Sequence, residues 1–124
     1  MISDRTELYQ ALAELAYAIA MADGVIQSDE KRKFKSIIRK ELREDAWIAE
    51  SRFDILDSAI TPSLEGAYDN AIKMIRHRRG EFDAEMKEKF LTVISKVADA
   101  FGGPDDTEVD ILEKLKTEFE NLEA

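Results

Sequence analysis

An all-α bundle is the fold class that this sequence predicts, on three observations. Apolar residues recur at three- and four-residue intervals in nearly every segment. No alternating apolar–polar run is long enough to argue for a strand. Only two prolines and five glycines interrupt the chain, so long elements can form. The expected architecture is a compact bundle of about six helices over residues 1–124, read as one domain with short turns. A chain of 124 residues can bury a real core, and 44% hydrophobic with 36% charged residues suits a folded protein rather than a disordered one.

The first helix runs from a Ser3 or Asp4 cap through Leu8, Leu12, Leu15 and Ile19. Alanines 11, 13, 16, 18 and 20 leave it little polar face beyond Glu14, so it is expected at the centre, wrapped on several sides. Gly24 ends that helix, and Ser28 or Asp29 caps a second with Phe34, Ile37, Ile38 and Leu42 as its core stripe. Asp45 opens a third carrying Trp47, Ile48, Phe53, Leu56 and Ile60, with Trp47 read as a packing anchor. Thr61-Pro62 reads as an N-cap followed by proline at the first helical position of a fourth helix, which stops near Gly80. Asp83 caps a fifth helix with Met86, Phe90, Val93, Ile94, Val97 and Phe101. Gly102-Gly103-Pro104 breaks the chain, and Asp105 with Glu108 forms a capping-box pattern for the last helix.

Composition excludes several functions. Without cysteine there can be no disulfide, thiolate metal site or cysteine nucleophile, and the single His77 cannot build a zinc site. His77 also lacks a nucleophile-turn signature for a serine–histidine triad. Set in Arg76-His77-Arg78-Arg79, it reads as a solvated helix end, with a small-anion site as the sharper alternative. A formal charge of −9 argues against general nucleic-acid binding. No leader pattern opens the sequence, and the apolar segment from Ala11 to Ala22 is too short for a bilayer, so a cytoplasmic location is expected.

The charge is unevenly placed. Residues 31–43 hold Lys31, Arg32, Lys33, Lys35, Arg39, Lys40 and Arg43 against Glu41, while residues 99–124 hold nine acids against Lys114 and Lys116. The two segments are self-complementary if they touch. Arg32, Lys35, Arg39 and Arg43 fall three or four apart, which is a solvated helix surface or a docking stripe for an acidic partner or anionic lipid.

The most informative motif is the acidic turn Asp23-Gly24-Val25-Ile26 leading to Glu30. It matches the back half of a calcium loop, where glycine takes the sharp turn and a closing glutamate offers two oxygens. The front half is missing, because Ile19 and Met21 stand where the first two carboxylates belong, so a complete EF-hand is rejected. Two readings stand for what survives. One is capping, with Asp29 and Glu30 favouring the positive start of the next helix. The other is a half-site for calcium or magnesium, completed from a second unit. That second unit repeats the pattern: Asp99, Gly102-Gly103, then Glu108 followed four and seven residues later by Leu112 and Leu115, as Glu30 is followed by Phe34 and Ile37. Two pseudo-symmetric helical-hairpin halves would follow, an arrangement in which the two acidic turns can lie near one another.

Residues 16–30, Ala-Tyr-Ala-Ile-Ala-Met-Ala-Asp-Gly-Val-Ile-Gln-Ser-Asp-Glu, with Phe34 and Ile37 beyond, resemble the first motif of the TerB-like (tellurite-resistance TerB) family. That family has a similar second motif near its C-terminus, where this chain has Val97-Ala98-Asp99 through Glu108 and Leu112. The resemblance covers most of the chain. It implies an all-helical fold of two related halves and a role in bacterial stress response or membrane-associated systems. It also implies metal chelation at the positions of Asp23, Glu30, Asp99 and Glu108. The second turn, Ala100 to Pro104, departs from the family by lacking the Asp-Gly pair.

The expected function is a non-catalytic TerB-like module that binds another protein, with a divalent cation at its acidic turns and peripheral association with a membrane complex. A divalent-metal sensor or buffer is the alternative, and a carboxylate-based hydrolase stands third, since no acid pair is singled out for proton transfer.

Overall fold

Every residue from Ala11 to Ala20 is buried, so the first helix, α1 (Asp4–Ala20), is the element around which the others are arranged. The computed structural model describes residues 4–23, 26–101 and 106–122; the side chains of Asp4, Asp23, residues 106–109 and Leu122 lie outside that description. The described residues are all-helical, with no strand among them. A 3₁₀ turn (Met21–Asp23) closes α1, and α2 spans Ser28–Leu42. A second 3₁₀ turn (Arg43–Asp45) leads into α3 (Ala46–Ile55), which widens into a π-turn (Leu56–Ile60). Three further helices follow: α4 (Leu64–His77), α5 (Ala84–Ala100) and α6 (Asp106–Leu122).

The small side chains of α1 let neighbours approach its axis on several sides. It packs against α3, α4 and α5, while α2 packs on α3 and α5, and α6 lies on α5. Leu8, Leu12, Leu15 and Ile19 supply the central stripe, and one continuous apolar cluster joins them to Phe34, Phe53, Ile75, Phe90, Ile94 and Leu115. Phe34 of α2 stacks on Phe53 of α3 at 4.4 Å between ring centroids. Tyr17 of α1 meets Phe53 edge-on at 6.1 Å. At the other end Phe82, Phe90 and Phe119 form edge-to-face pairs that fasten α6 to α5.

The caps follow local chemistry, with three departures from expectation. Asp83 caps α5 as expected, its Oδ1 accepting the Met86 N–H at 2.9 Å. The residue capping α2 is Gln27, one position earlier than expected, and the Glu30 carboxylate reaches back to the Gln27 N–H at 2.9 Å. For α4 the cap is Ser63, whose hydroxyl accepts the Gly66 N–H at 3.0 Å. Thr61 instead ends the π-turn in the left-handed region at φ 43°, donating its N–H to Leu56 across the wide turn at 2.8 Å. Proline after a helix end is as regular as proline at a helix start, and here the first pattern applies. The third departure is α3. Ile48, Phe53 and Leu56 are buried, but Trp47 is 64% exposed and Ile60 48% exposed. Trp47 is therefore not a packing anchor: adjacent residues on a helix diverge by about 100°, and Ile48 takes the inward position. Gly24 as a helix end, the Gly102–Pro104 break and the Asp105–Glu108 capping box lie outside the described residues.

Candidate functional site

The start of α2 and the end of α5 are neighbours. Lys33 donates to the Ala100 carbonyl at 3.1 Å, so an ammonium sits on the negative end of α5. Gln27, Asp29, Glu30, Lys33, Ala100 and Phe101 line a cleft of about 430 Å³ between them. Part of the two acidic units therefore meets: residues 27–30 with 100–101.

The predicted ligands are placed unequally. Glu30 is 7% exposed and spends one carboxylate oxygen on the Gln27 N–H. Asp29 is exposed and pairs with Arg32 one turn along α2. Asp99 is exposed and lines a different cleft, with Ser36, Lys40 and Lys96. The side chains of Asp23 and Glu108 lie outside the described residues. Among the described residues, no three acidic or histidine side chains come close enough to hold a metal ion. The described part of the turn therefore carries the capping role, and a complete donor set would require Asp23 and Glu108.

Most of the basic residues of α2 are paired. Lys31 pairs with Asp57 at 2.7 Å, Lys35 with Asp54 at 3.3 Å, and Arg39 with Glu50 at 2.9 Å. Four-residue steps on α2 thus run against three- and four-residue steps on α3 and its π-turn, as antiparallel helices require. The hydrogen bond to Asp57 is the main reason that the Lys31 ammonium holds its proton above the usual lysine range. Apart from Asp29, which pairs with Arg32, the acids that answer the basic segment among the described residues come from residues 50–57. Glu118 of α6 pairs instead with Arg76 of α4 at 3.0 Å.

This ladder faces α3 on one side and leaves the opposite side to solvent. Trp47, Ser51 and Ile55 are four residues apart, all exposed, and share one face of α3. Ile60, at the end of the π-turn that follows, is exposed as well. Two interleaved stripes in the sequence are the signal that could have found it. Ile48, Ala49, Phe53 and Leu56 form one, and Trp47, Ser51 and Ile55 the other.

Two other groups are positioned without a cue in the sequence. Glu7 of α1 receives Arg78 Nε at 2.9 Å and contacts His77 Nδ1 at 3.0 Å. Burial by itself would raise the Glu7 carboxyl pKa, but those hydrogen bonds and the Arg78 charge hold it below 4.5. The cationic end of α4 thus already has an internal carboxylate. Glu14 lies 2% exposed on the central helix. It accepts from Asn70 Nδ2 at 2.7 and 2.6 Å and from Arg52 at 3.3 Å, tying α1 to α4 and α3.

No family model matches the chain, nor does any curated protein or any solved structure.

Proposed function

We propose that this chain is a non-catalytic TerB-like module that works by binding another protein through the outer face of α3. The observation that carries the reading is the 64% exposure of Trp47, with exposed Ile55 two turns along the same face of α3 and exposed Ile60 beyond it. Single apolar residues at a surface are ordinary, but aligned ones that include a tryptophan are typical of interface anchors. The ion-pair ladder behind α3 holds that face in one orientation, so little ordering is lost on docking. The partner would present an apolar pocket for the indole with a basic rim, complementing a chain of net charge −9.

In the same reading, calcium or magnesium steadies the acidic turns through Asp23, Glu30, Asp99 and Glu108. What supports this is that Glu30 and residues 100–101 line one cleft while Asp99 lines the adjoining one, which sets the first turn beside the start of the second. The pairs α1–α2 and α5–α6 would then be related halves. A metal sensor or buffer is the alternative, in which the cation is the cargo. Calorimetric titration with calcium, magnesium and manganese, on the parent and on Asp23→Asn with Glu30→Gln, separates these readings. No heat and no thermal shift removes the cation from the account.

The docking claim has its own test. A light-activated crosslinking residue at position 47 should trap a discrete partner, whereas one at exposed Glu113 should not. Ile55→Asp should abolish that capture while leaving the helical circular dichroism unchanged. Equal capture at both positions, or capture indifferent to Ile55→Asp, overturns the reading.

A further inference from the structure

Tyr68 of α4 is only 4% exposed, yet its hydroxyl is buried with no hydrogen-bond partner among the described residues. Buried hydroxyls in folded proteins are nearly always satisfied, so an orphan marks a place where a further group can accept its hydrogen bond. Tyr68 lines the cleft between α4 and α6, which measures about 570 Å³. That size falls within the range of pockets that hold small molecules. The hydroxyl lies in the field of groups lining the same cleft. Burial chiefly, with Glu118 and Asp69 adding and Arg76 opposing, pushes its pKa up to about 12, so it stays a donor at neutral pH.

The charges around it are divided in a way that selects a ligand. Glu118 is already engaged by Arg76 at 3.0 Å. The Lys114 ammonium lies 4.6 Å over the Tyr68 ring, where the π-face holds it beside the cleft. Lys73 is exposed on α4 and has no ion-pair partner among the described residues. The cleft therefore offers two ammonium groups and an unsatisfied phenolic O–H as donors, against one exposed carboxylate, Asp69, that has no ion-pair partner among the described residues, so the donors outnumber the free acceptor. Asn70, also in the lining, has its amide committed to Glu14, which anchors the floor to the central helix.

We infer that the α4–α6 cleft binds a small oxyanion, a carboxylate or a phosphate, held by Lys73 and Lys114 with Tyr68 donating to one of its oxygens. An ammonium pair with a phenol suits either anion as point-charge and hydrogen-bond donors, without the planar fork that would favour one of them.

The test is titration of the ¹⁵N-labelled full chain with inorganic phosphate and with citrate, each against chloride at matched ionic strength. Saturable amide shifts centred on Tyr68, Lys73 and Lys114 are expected with at least one of the two, and whichever saturates at lower concentration identifies the source. Lys73→Ala with Lys114→Ala should weaken that binding about tenfold or more, and Tyr68→Phe about fivefold or more, with spectra that remain dispersed. No saturable shift with either anion up to about 10 mM overturns the inference. So do shifts that survive the double lysine variant, or shifts scattered over the lysines of the whole surface.

Discussion

Replacing Glu14 with alanine removes the carboxylate that holds Asn70 and Arg52 against the central helix. Glu14 is 2% exposed and accepts Asn70 Nδ2 at 2.7 and 2.6 Å and Arg52 at 3.3 Å. Its loss strands a guanidinium whose Nε is already buried without a hydrogen bond, together with an amide that has only the Met74 sulfur left at 3.7 Å. Breaking one side of a buried ion pair costs ~3–5 kcal/mol. The Arg52 side chain keeps 25% exposure, so water serves part of it, and the expected loss is about 3 kcal/mol, near the lower end of that range. Glu14→Gln keeps the volume and an acceptor for Asn70 but loses the charge, for about 1–2 kcal/mol. Glu14→Leu with Arg52→Leu removes both charges and should cost less than Glu14→Ala. Urea denaturation at unchanged m-value reads all three. In a chain of 124 residues, 3 kcal/mol corresponds to roughly 10 °C in Tm. A loss below about 1 kcal/mol for Glu14→Ala, or a double variant worse than it, would refute the claim that this carboxylate is buried and paired.

The remaining perturbations test other parts of the fold. Glu7 holds its carboxyl below 4.5, because the hydrogen bonds from His77 and Arg78 outweigh the effect of burial. A depressed carboxylate stabilises the folded state fully above its unfolded pKa and loses that contribution as pH falls through the folded one. Acid-unfolding curves of the parent and Glu7→Gln should therefore differ above pH 4.5 and converge below it; a constant offset contradicts the pairing. The Tyr68 phenol, raised from 10.0 to about 12, runs the other way. Its burial makes stability fall as pH rises through that window, and ultraviolet titration of Tyr68→Phe should lack the highest tyrosine step. Phe53 is fully buried between Phe34 and Tyr17, so Phe53→Ala should cost about 3–5 kcal/mol by chemical denaturation. A cost below about 1 kcal/mol would place that ring outside the core.

Most of the core was legible because it depends on short-range periodicity. Leu8, Leu12, Leu15 and Ile19 announce a buried stripe, and the alanines between them announce that α1 is enclosed, as it is. Asp83 announces its own helix start. What was not legible depends on which helix faces which. The basic residues of α2 could have met α6 or solvent, and only the antiparallel placement of α3 gives them Glu50, Asp54 and Asp57. In the sequence Glu14 is only the main polar residue of an apolar helix, yet Arg52 and Asn70, 38 and 56 residues away, make it a buried hub. Trp47 is not the packing anchor that its residue type suggests, because Ile48 and Phe53 share an inward face that excludes it. The Tyr68 hydroxyl carries no pattern at all, since an unsatisfied donor is a property of its surroundings.

A binding face on α3 requires Trp47 to stand free at the surface rather than contribute to the core. The most direct measurement is the unfolding free energy of Trp47→Ala against the parent chain. At 64% exposure, the substitution should change stability by no more than about 0.5 kcal/mol. A loss of about 3–5 kcal/mol, the cost of truncating a buried aromatic, would return Trp47 to the core and remove the binding face.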